Sequence, residues 1–79
     1  MKLTYDPCYN IVYLALREKT DQVKTARISG ELNIDLAPDG TVYGIELLNA
    51  NAQLGTGNGE TFIVVNEASG HTSAVKLQA

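Results

Sequence analysis

Three carboxylates are spaced so that they could share chemistry: Asp35, Asp39 and Glu46. Asp35 and Glu46 flank Pro38-Asp39-Gly40, a strong turn signal. Proline presets the first turn position, aspartate tolerates the second, and glycine accepts positive φ. If the flanking segments pair as strands, Asp35 and Glu46 point to one side, away from Leu32, Ile34 and Leu36. Paired carboxylates on such a face could ligate a divalent cation or move a proton. Glu46 is the most interesting of the three, because Gly44 beside it would leave open space on that face. The plainer reading is that all three are solvated residues of a half-buried sheet, and that reading is preferred.

Other residue sets invite chemistry less. Gly55, Gly57 and Gly59 echo a phosphate-binding loop, but such loops follow a strand and open a helix. Here the order is reversed and no P-loop lysine accompanies it, so the glycines read as a flexible connector. Cys8 and His71 are the sole residues of their kinds and come from opposite ends of the chain. A dyad between them is arithmetically possible and unsupported by any motif. Ser29, Ser69 and Ser73 sit in no nucleophile motif. Tyr5, Tyr9, Tyr13 and Tyr43 supply most of the aromatic content. Tyrosines combine an apolar body with a polar tip, so Tyr5, Tyr13 and Tyr43 are candidate interface anchors, with ordinary strand packing as the preferred alternative.

Alternation of apolar and polar residues sets the elements that would position these groups. Lys2–Tyr5 is a short strand broken by Asp6-Pro7. Asn10–Leu16 is a second, apolar on both faces and therefore central, hairpinned to the first across Asp6-Pro7-Cys8-Tyr9. Glu18–Gln22 reads as a loop and Val23–Ser29 as a weaker strand, with Gly30 marking a bend or bulge. Leu32–Leu36 and Thr41–Leu48 form a hairpin around Pro38 and Gly40. Asn49 is placed to cap a short helix with its side-chain oxygen, and Gly55 to close it in the left-handed conformation. So short a helix needs tertiary support, assigned here to Leu54 packing on the sheet. Glu60–Asn66 and Thr72–Leu77 form a last hairpin.

The fold class is therefore α+β: a small curled antiparallel sheet of about five or six strands, one short helix after Leu48, and a C-terminal β-hairpin. The 79 residues make one small domain. A chain of this size buries only about 60% of its unfolded surface, so stability is marginal without a staple or a partner. One cysteine permits no internal disulfide, and no Cys/His spacing suggests zinc. With 44% apolar residues and no cross-link, a homo-oligomer, most simply a homodimer, is expected. The net charge is −3, and Lys2, Arg17, Lys19, Lys24, Arg27 and Lys76 are scattered, which argues against nucleic-acid binding. No apolar run is long enough to span a membrane, and the opening residues do not read as an export signal. A lone cysteine fits a reducing cytoplasm.

Two segments resemble a known family, the small bacterial proteins grouped as domain of unknown function 2283. One is Met1-Lys2-Leu3-Thr4-Tyr5-Asp6-Pro7 with the strand Ile11-Val12-Tyr13-Leu14-Ala15-Leu16. The other is Asn33-Ile34-Asp35-Leu36-Ala37-Pro38-Asp39-Gly40 running into Val42-Tyr43-Gly44-Ile45-Glu46-Leu47-Leu48-Asn49-Ala50. The resemblance covers residues 1 to about 54 and implies a β-rich domain with a short helix. It implies no activity and no catalytic residues. Family members usually place acids after Tyr-Asp-Pro, where this chain has Cys8, Tyr9 and Asn10, and tend to carry an acid where Asn49 stands. Any site that needed those carboxylates would be weakened here. Residues 60–79 lie outside the resemblance and read as an added hairpin that covers a sheet edge or extends a dimer interface.

The expected function is a non-catalytic protein-interaction module working as a homo-oligomer, through a sheet edge or an aromatic face. The alternative is a small-molecule or divalent-metal binding protein using the Asp35/Glu46 face. A small hydrolase comes third, and no cofactor is expected.

Overall fold

Antiparallel pairing of short strands organises the chain. The computed structural model describes residues 1–55 and 61–76. Five strands, β1 (Lys2–Asp6), β2 (Ile11–Ala15), β3 (Lys24–Ser29), β4 (Leu32–Leu36) and β5 (Val42–Leu48), form one sheet in the order β1-β2-β5-β4-β3. A helix, α1 (Ala50–Leu54), follows β5. Strands β6 (Thr61–Val65) and β7 (Thr72–Lys76) make a separate two-stranded hairpin. This is the expected α+β arrangement.

Local chemistry explains the turns. Asp6 accepts hydrogen bonds from the N–H groups of Cys8 (2.9 Å) and Tyr9 (3.2 Å), closing the β1–β2 connection behind Pro7. Between β4 and β5, the Gly40 N–H donates to the Ala37 carbonyl (2.9 Å), and Gly40 takes φ 89°. Asp39 secures that turn by accepting from the Thr41 N–H (3.0 Å) and hydroxyl (2.7 Å). Gly30 falls in the tight reversal between β3 and β4, with a register shift just before it, between Arg27 and Ser29.

The pairing register sorts the five-stranded sheet into two faces. Leu3, Val12, Leu14, Ile34, Ile45 and Leu47 share one face. Thr4, Tyr13, Asn33, Asp35, Gly44 and Glu46 share the other. β2 has neighbours on both sides, as its two apolar faces imply, and β5 is the middle strand. The buried core is small: Val12, Ala37, Tyr43 and Ala50.

Two expectations about the helix are corrected. Asn49 does not cap α1 with its side chain; it takes the left-handed conformation (φ 52°), and its side-chain oxygen accepts from the Asn10 amide (3.2 Å). The acceptors come from Asn10 instead. Its side-chain oxygen takes the Asn51 N–H (2.7 Å) and its carbonyl takes the Ala50 N–H (2.9 Å). Leu54 is not the anchor either, being 39% exposed; Ala50, at 0%, is the residue that packs. A five-residue helix directs only one side chain squarely inward, and here its first position faces the sheet. Gly55 closes α1 as expected, with φ 69° and its N–H on the Asn51 carbonyl (2.8 Å).

Candidate functional site

Asp35 is the hub of the sheet's polar face. Its Oδ2 accepts from the Tyr13 hydroxyl (2.7 Å) and the Lys19 ammonium (3.1 Å), and its Oδ1 from the Thr25 hydroxyl (2.7 Å). The donors come from β2, the β2–β3 loop and β3, so one carboxylate ties three parts of the chain to β4. Lys19 also lies over the Tyr13 ring, 4.8 Å from its centre.

The electrostatics follow from that geometry. Burial alone would raise the Asp35 pKa, but hydrogen bonds from Tyr13, Thr25 and Lys19 outweigh it and hold the carboxyl below its ordinary value. The Tyr13 hydroxyl is pushed up, first by burial; the Lys19 hydrogen bond opposes that, and bonding to Asp35 reinforces it. Lys19 is raised by hydrogen bonding to Tyr13 and then to Asp35. A carboxylate held firmly ionised by three donors is poorly matched to proton abstraction near neutral pH, where a pKa closer to 7 serves better.

Glu46 lies on the same face as Asp35, as expected, but has its own partner. It accepts from the Asn33 amide (2.9 Å) directly across the strand pair. Asp35 stands opposite Gly44, making the two acids diagonal neighbours with backbones about 7–8 Å apart. The space expected beside Gly44 is filled: the Tyr13 ring lies against it, and an added Cβ would overlap the tyrosine's ring and hydroxyl. Cross-strand register explains this, because Tyr13 reaches over Gly44 toward Asp35 from β2.

Asp39 sits apart, in the β4–β5 turn, where hydrogen bonds from the Thr41 side chain and backbone lower its pKa. Arg17 lies over the Tyr43 ring (4.8 Å) and donates to the Thr41 hydroxyl. A hollow of about 240 Å³ opens there, lined by Arg17, Thr20, Asp21, Ala37, Pro38, Asp39 and Tyr43. It falls below the roughly 300–1,000 Å³ of ordinary ligand pockets. Among the described residues, no group of three or more His, Cys, Asp or Glu side chains is placed to hold a metal ion.

The three candidate interface tyrosines are engaged within the chain. Tyr43 is 2% exposed, Tyr13 bonds Asp35, and Tyr5 donates to Asn51 of α1 (2.6 Å). Tyr9, in the β1–β2 turn, is the exposed one at 77%. Cys8 is an exposed free thiol in that same turn, and His71 stands in the turn of the other sheet. Gly57 and Gly59 of the glycine connector lie outside the described residues. Sequence reasoning missed Asn10, Lys19 and Thr25. Asn10 was legible in principle as an asparagine beyond a strand-breaking Asp-Pro turn; the other two carry no local signal.

The apolar surface is distributed quite differently. Every residue of β6 and β7 is exposed, including Phe62, Ile63, Val64, Val65 and Val75. Among the described residues, no helix is long and apolar enough to cross a membrane.

The family model described as Protein of unknown function (DUF2283) matches residues 2–51. That span takes in all five strands of the larger sheet and the start of α1, and stops before β6. No curated protein and no solved structure matches the chain. The chain belongs to the DUF2283 family.

Proposed function

We propose that this chain, as a member of the DUF2283 family, is a small non-catalytic protein-interaction module that works as a homo-oligomer, most simply a homodimer. One observation carries the reading. The Asp35 and Glu46 carboxylates of the five-stranded sheet find partners within the chain, whereas among the described residues the apolar side chains of β6 and β7 stay exposed. Fully burying a Val, Ile or Phe side chain contributes about 1.5–3 kcal/mol, so covering several of them gives association a driving force. The ionised, fully engaged Asp35 supports the non-catalytic half of the reading. We place the module in a bacterial cytoplasm, where the exposed Cys8 thiol would stay reduced.

Native mass spectrometry and sedimentation velocity on the full chain test this across the micromolar range. A dimer or higher oligomer is expected. A monomer at every concentration would overturn the homo-oligomer, and a co-purified metal or metabolite mass would turn the reading toward ligand binding.

A further inference from the structure

Two-stranded hairpins are at best marginally stable in water; a third strand or a packed layer is needed. Among the described residues the β6–β7 hairpin has neither: it is a two-stranded sheet, and all residues of both strands are exposed. Its turn is nonetheless well made. Asn66 accepts from the N–H groups of Ala68 (3.0 Å) and Ser69 (3.2 Å), and Gly70 takes φ 75°. The Gly70 N–H donates to the Asn66 carbonyl (2.7 Å), while the Asn66 N–H donates to the His71 carbonyl (2.8 Å). That is a bulge with glycine in its left-handed position, and it fixes the hydrogen-bond phase of the hairpin.

Antiparallel ladders alternate between hydrogen-bonded and non-hydrogen-bonded pairs. With Asn66 bonded to His71, the next bonded pairs are Val64–Ser73 and Phe62–Val75. The N–H and C=O groups of Thr61, Ile63 and Val65 therefore point away from β7, into an edge that no other described strand pairs.

That edge differs from the others in its chemistry. The outer strands of the large sheet are guarded: β1 carries Lys2 and Asp6, and β3 carries Lys24, Arg27 and a register shift. Charges and bulges of this kind discourage edge-to-edge pairing. β6, Thr-Phe-Ile-Val-Val, has no charge, no proline and an unbroken register.

We propose that β6 is a dimerisation strand: the β6 edges of two copies pair antiparallel about a two-fold axis at Ile63, merging two hairpins into one four-stranded sheet. The proposal rests on the homo-oligomer reading and names its surface. The register satisfies the phase just derived. Ile63 meets its own counterpart as a bonded pair, and Thr61 meets Val65 of the other copy on each side, so every edge-facing group gains a partner. Phe62 then faces Val64 of the other copy, an aromatic and β-branched pairing that strands favour. No like charges meet, and a two-fold axis closes the assembly at two chains. Pairing through β7 would instead set Lys76 against Thr72 and Ser73 against Val75. Pairing of two five-residue edges is a small contact beside the roughly 800 Å² per partner of a standard interface, so the measurement runs to the highest micromolar concentrations, where the dimer is expected.

Sedimentation equilibrium on the full chain tests this with Ile63→Lys, Ile63→Glu, their equimolar mixture, and Ile63→Pro. The wild type is expected at twice the chain mass of 8.5 kDa and each single variant at that mass. The mixture is expected to recover the dimer, because lysine then faces glutamate across the axis. Ile63→Pro removes an edge-facing N–H without touching the β6–β7 ladder, and should also give a monomer. The melting transition of the five-stranded sheet reports whether each variant is folded. A wild-type monomer at every concentration overturns this proposal and the homo-oligomer together. A wild-type dimer that Ile63→Lys and Ile63→Pro leave intact overturns the β6 register alone. A mixture that stays monomeric also overturns the pairing.

Discussion

The Asp35 hub and the β6–β7 hairpin are opposite answers to the same small-chain problem. Around Asp35, three donors from separate elements converge on one carboxylate, and the strands beneath are knitted at several points. In the hairpin, the ladder and its turn are complete, yet every residue of the two strands is exposed and no other described strand pairs with them. The first region is specified by contacts within the chain. The second is specified only up to its own edge. A 79-residue domain buries only part of its surface, and the division shows where surface is left over. The longest run of exposed apolar residues, Phe62 to Val65, lies outside the family-matched residues, while Tyr9, Val23 and Ile28 within them are exposed singly.

Breaking the hub should be costly to the sheet. Gly44→Ala is the sharpest way, since the new Cβ would occupy the place of the Tyr13 ring. Gly44 does not take positive φ, so the backbone itself would accept alanine. The tyrosine must swing out and release Asp35, and losing a hydrogen bond to a charged group costs roughly 1.5–3 kcal/mol. Urea titration should show a loss of about 2 kcal/mol for Gly44→Ala, largely absent in a Tyr13→Ala background. An equal loss in both backgrounds would mean the ring is not what resists the substitution.

A second cut separates two asparagines that look alike in sequence. Asn10 and Asn49 are both left-handed, at φ 60° and 52°. Only Asn10 presents its side-chain oxygen to the helix. Glycine keeps the backbone conformation in either place, so it isolates the side chain's role. Asn10→Gly should cost about 1 kcal/mol, as loss of an intramolecular hydrogen bond does, while Asn49→Gly, which removes no bond to the helix, should cost less. If chemical denaturation ranks them the other way, the long-range cap is wrong.

The same pair marks where sequence stops being legible. Alternation exposed the strands, and Pro38-Asp39-Gly40 exposed the β4–β5 turn, because both are set by neighbours along the chain. The shared face of Asp35 and Glu46 was reached by assuming a simple register, whereas the structure reaches it through a register shift between Asp35 and Leu36. Asn10 as a cap did not follow, because it is brought to α1 by the pairing of β2 with β5, not by nearness in sequence. Tyr13 over Gly44 failed for the same reason: the diagonal reach of a ring depends on which strands become neighbours. Leu54 was chosen for its size, whereas the geometry of a five-residue helix favoured the small Ala50. The hairpin was legible as an element and opaque as a function, since its unpaired edge is visible only once the large sheet is complete without it.

The smallest effect expected is in pH dependence, and it sharpens the contrast because β6 and β7 contain no carboxylate. Asp35 is held below its ordinary value in the folded chain. Its contribution to stability is therefore present above the unfolded-state value of about 3.9 and is lost as pH falls through the lower folded value. Tyr13 and Lys19 run the opposite way. Both are raised, so their contribution holds below their unfolded values of about 10 and is lost as pH climbs through the folded ones. Melting curves between about pH 5 and pH 2 should fall less steeply for Asp35→Asn than for the wild type. Asp39 is lowered too, but it is fully exposed, so its share should fade with added salt while the Asp35 share persists. Parallel acid limbs for wild type and Asp35→Asn would place the acid sensitivity elsewhere and remove the hub from its central position in the sheet.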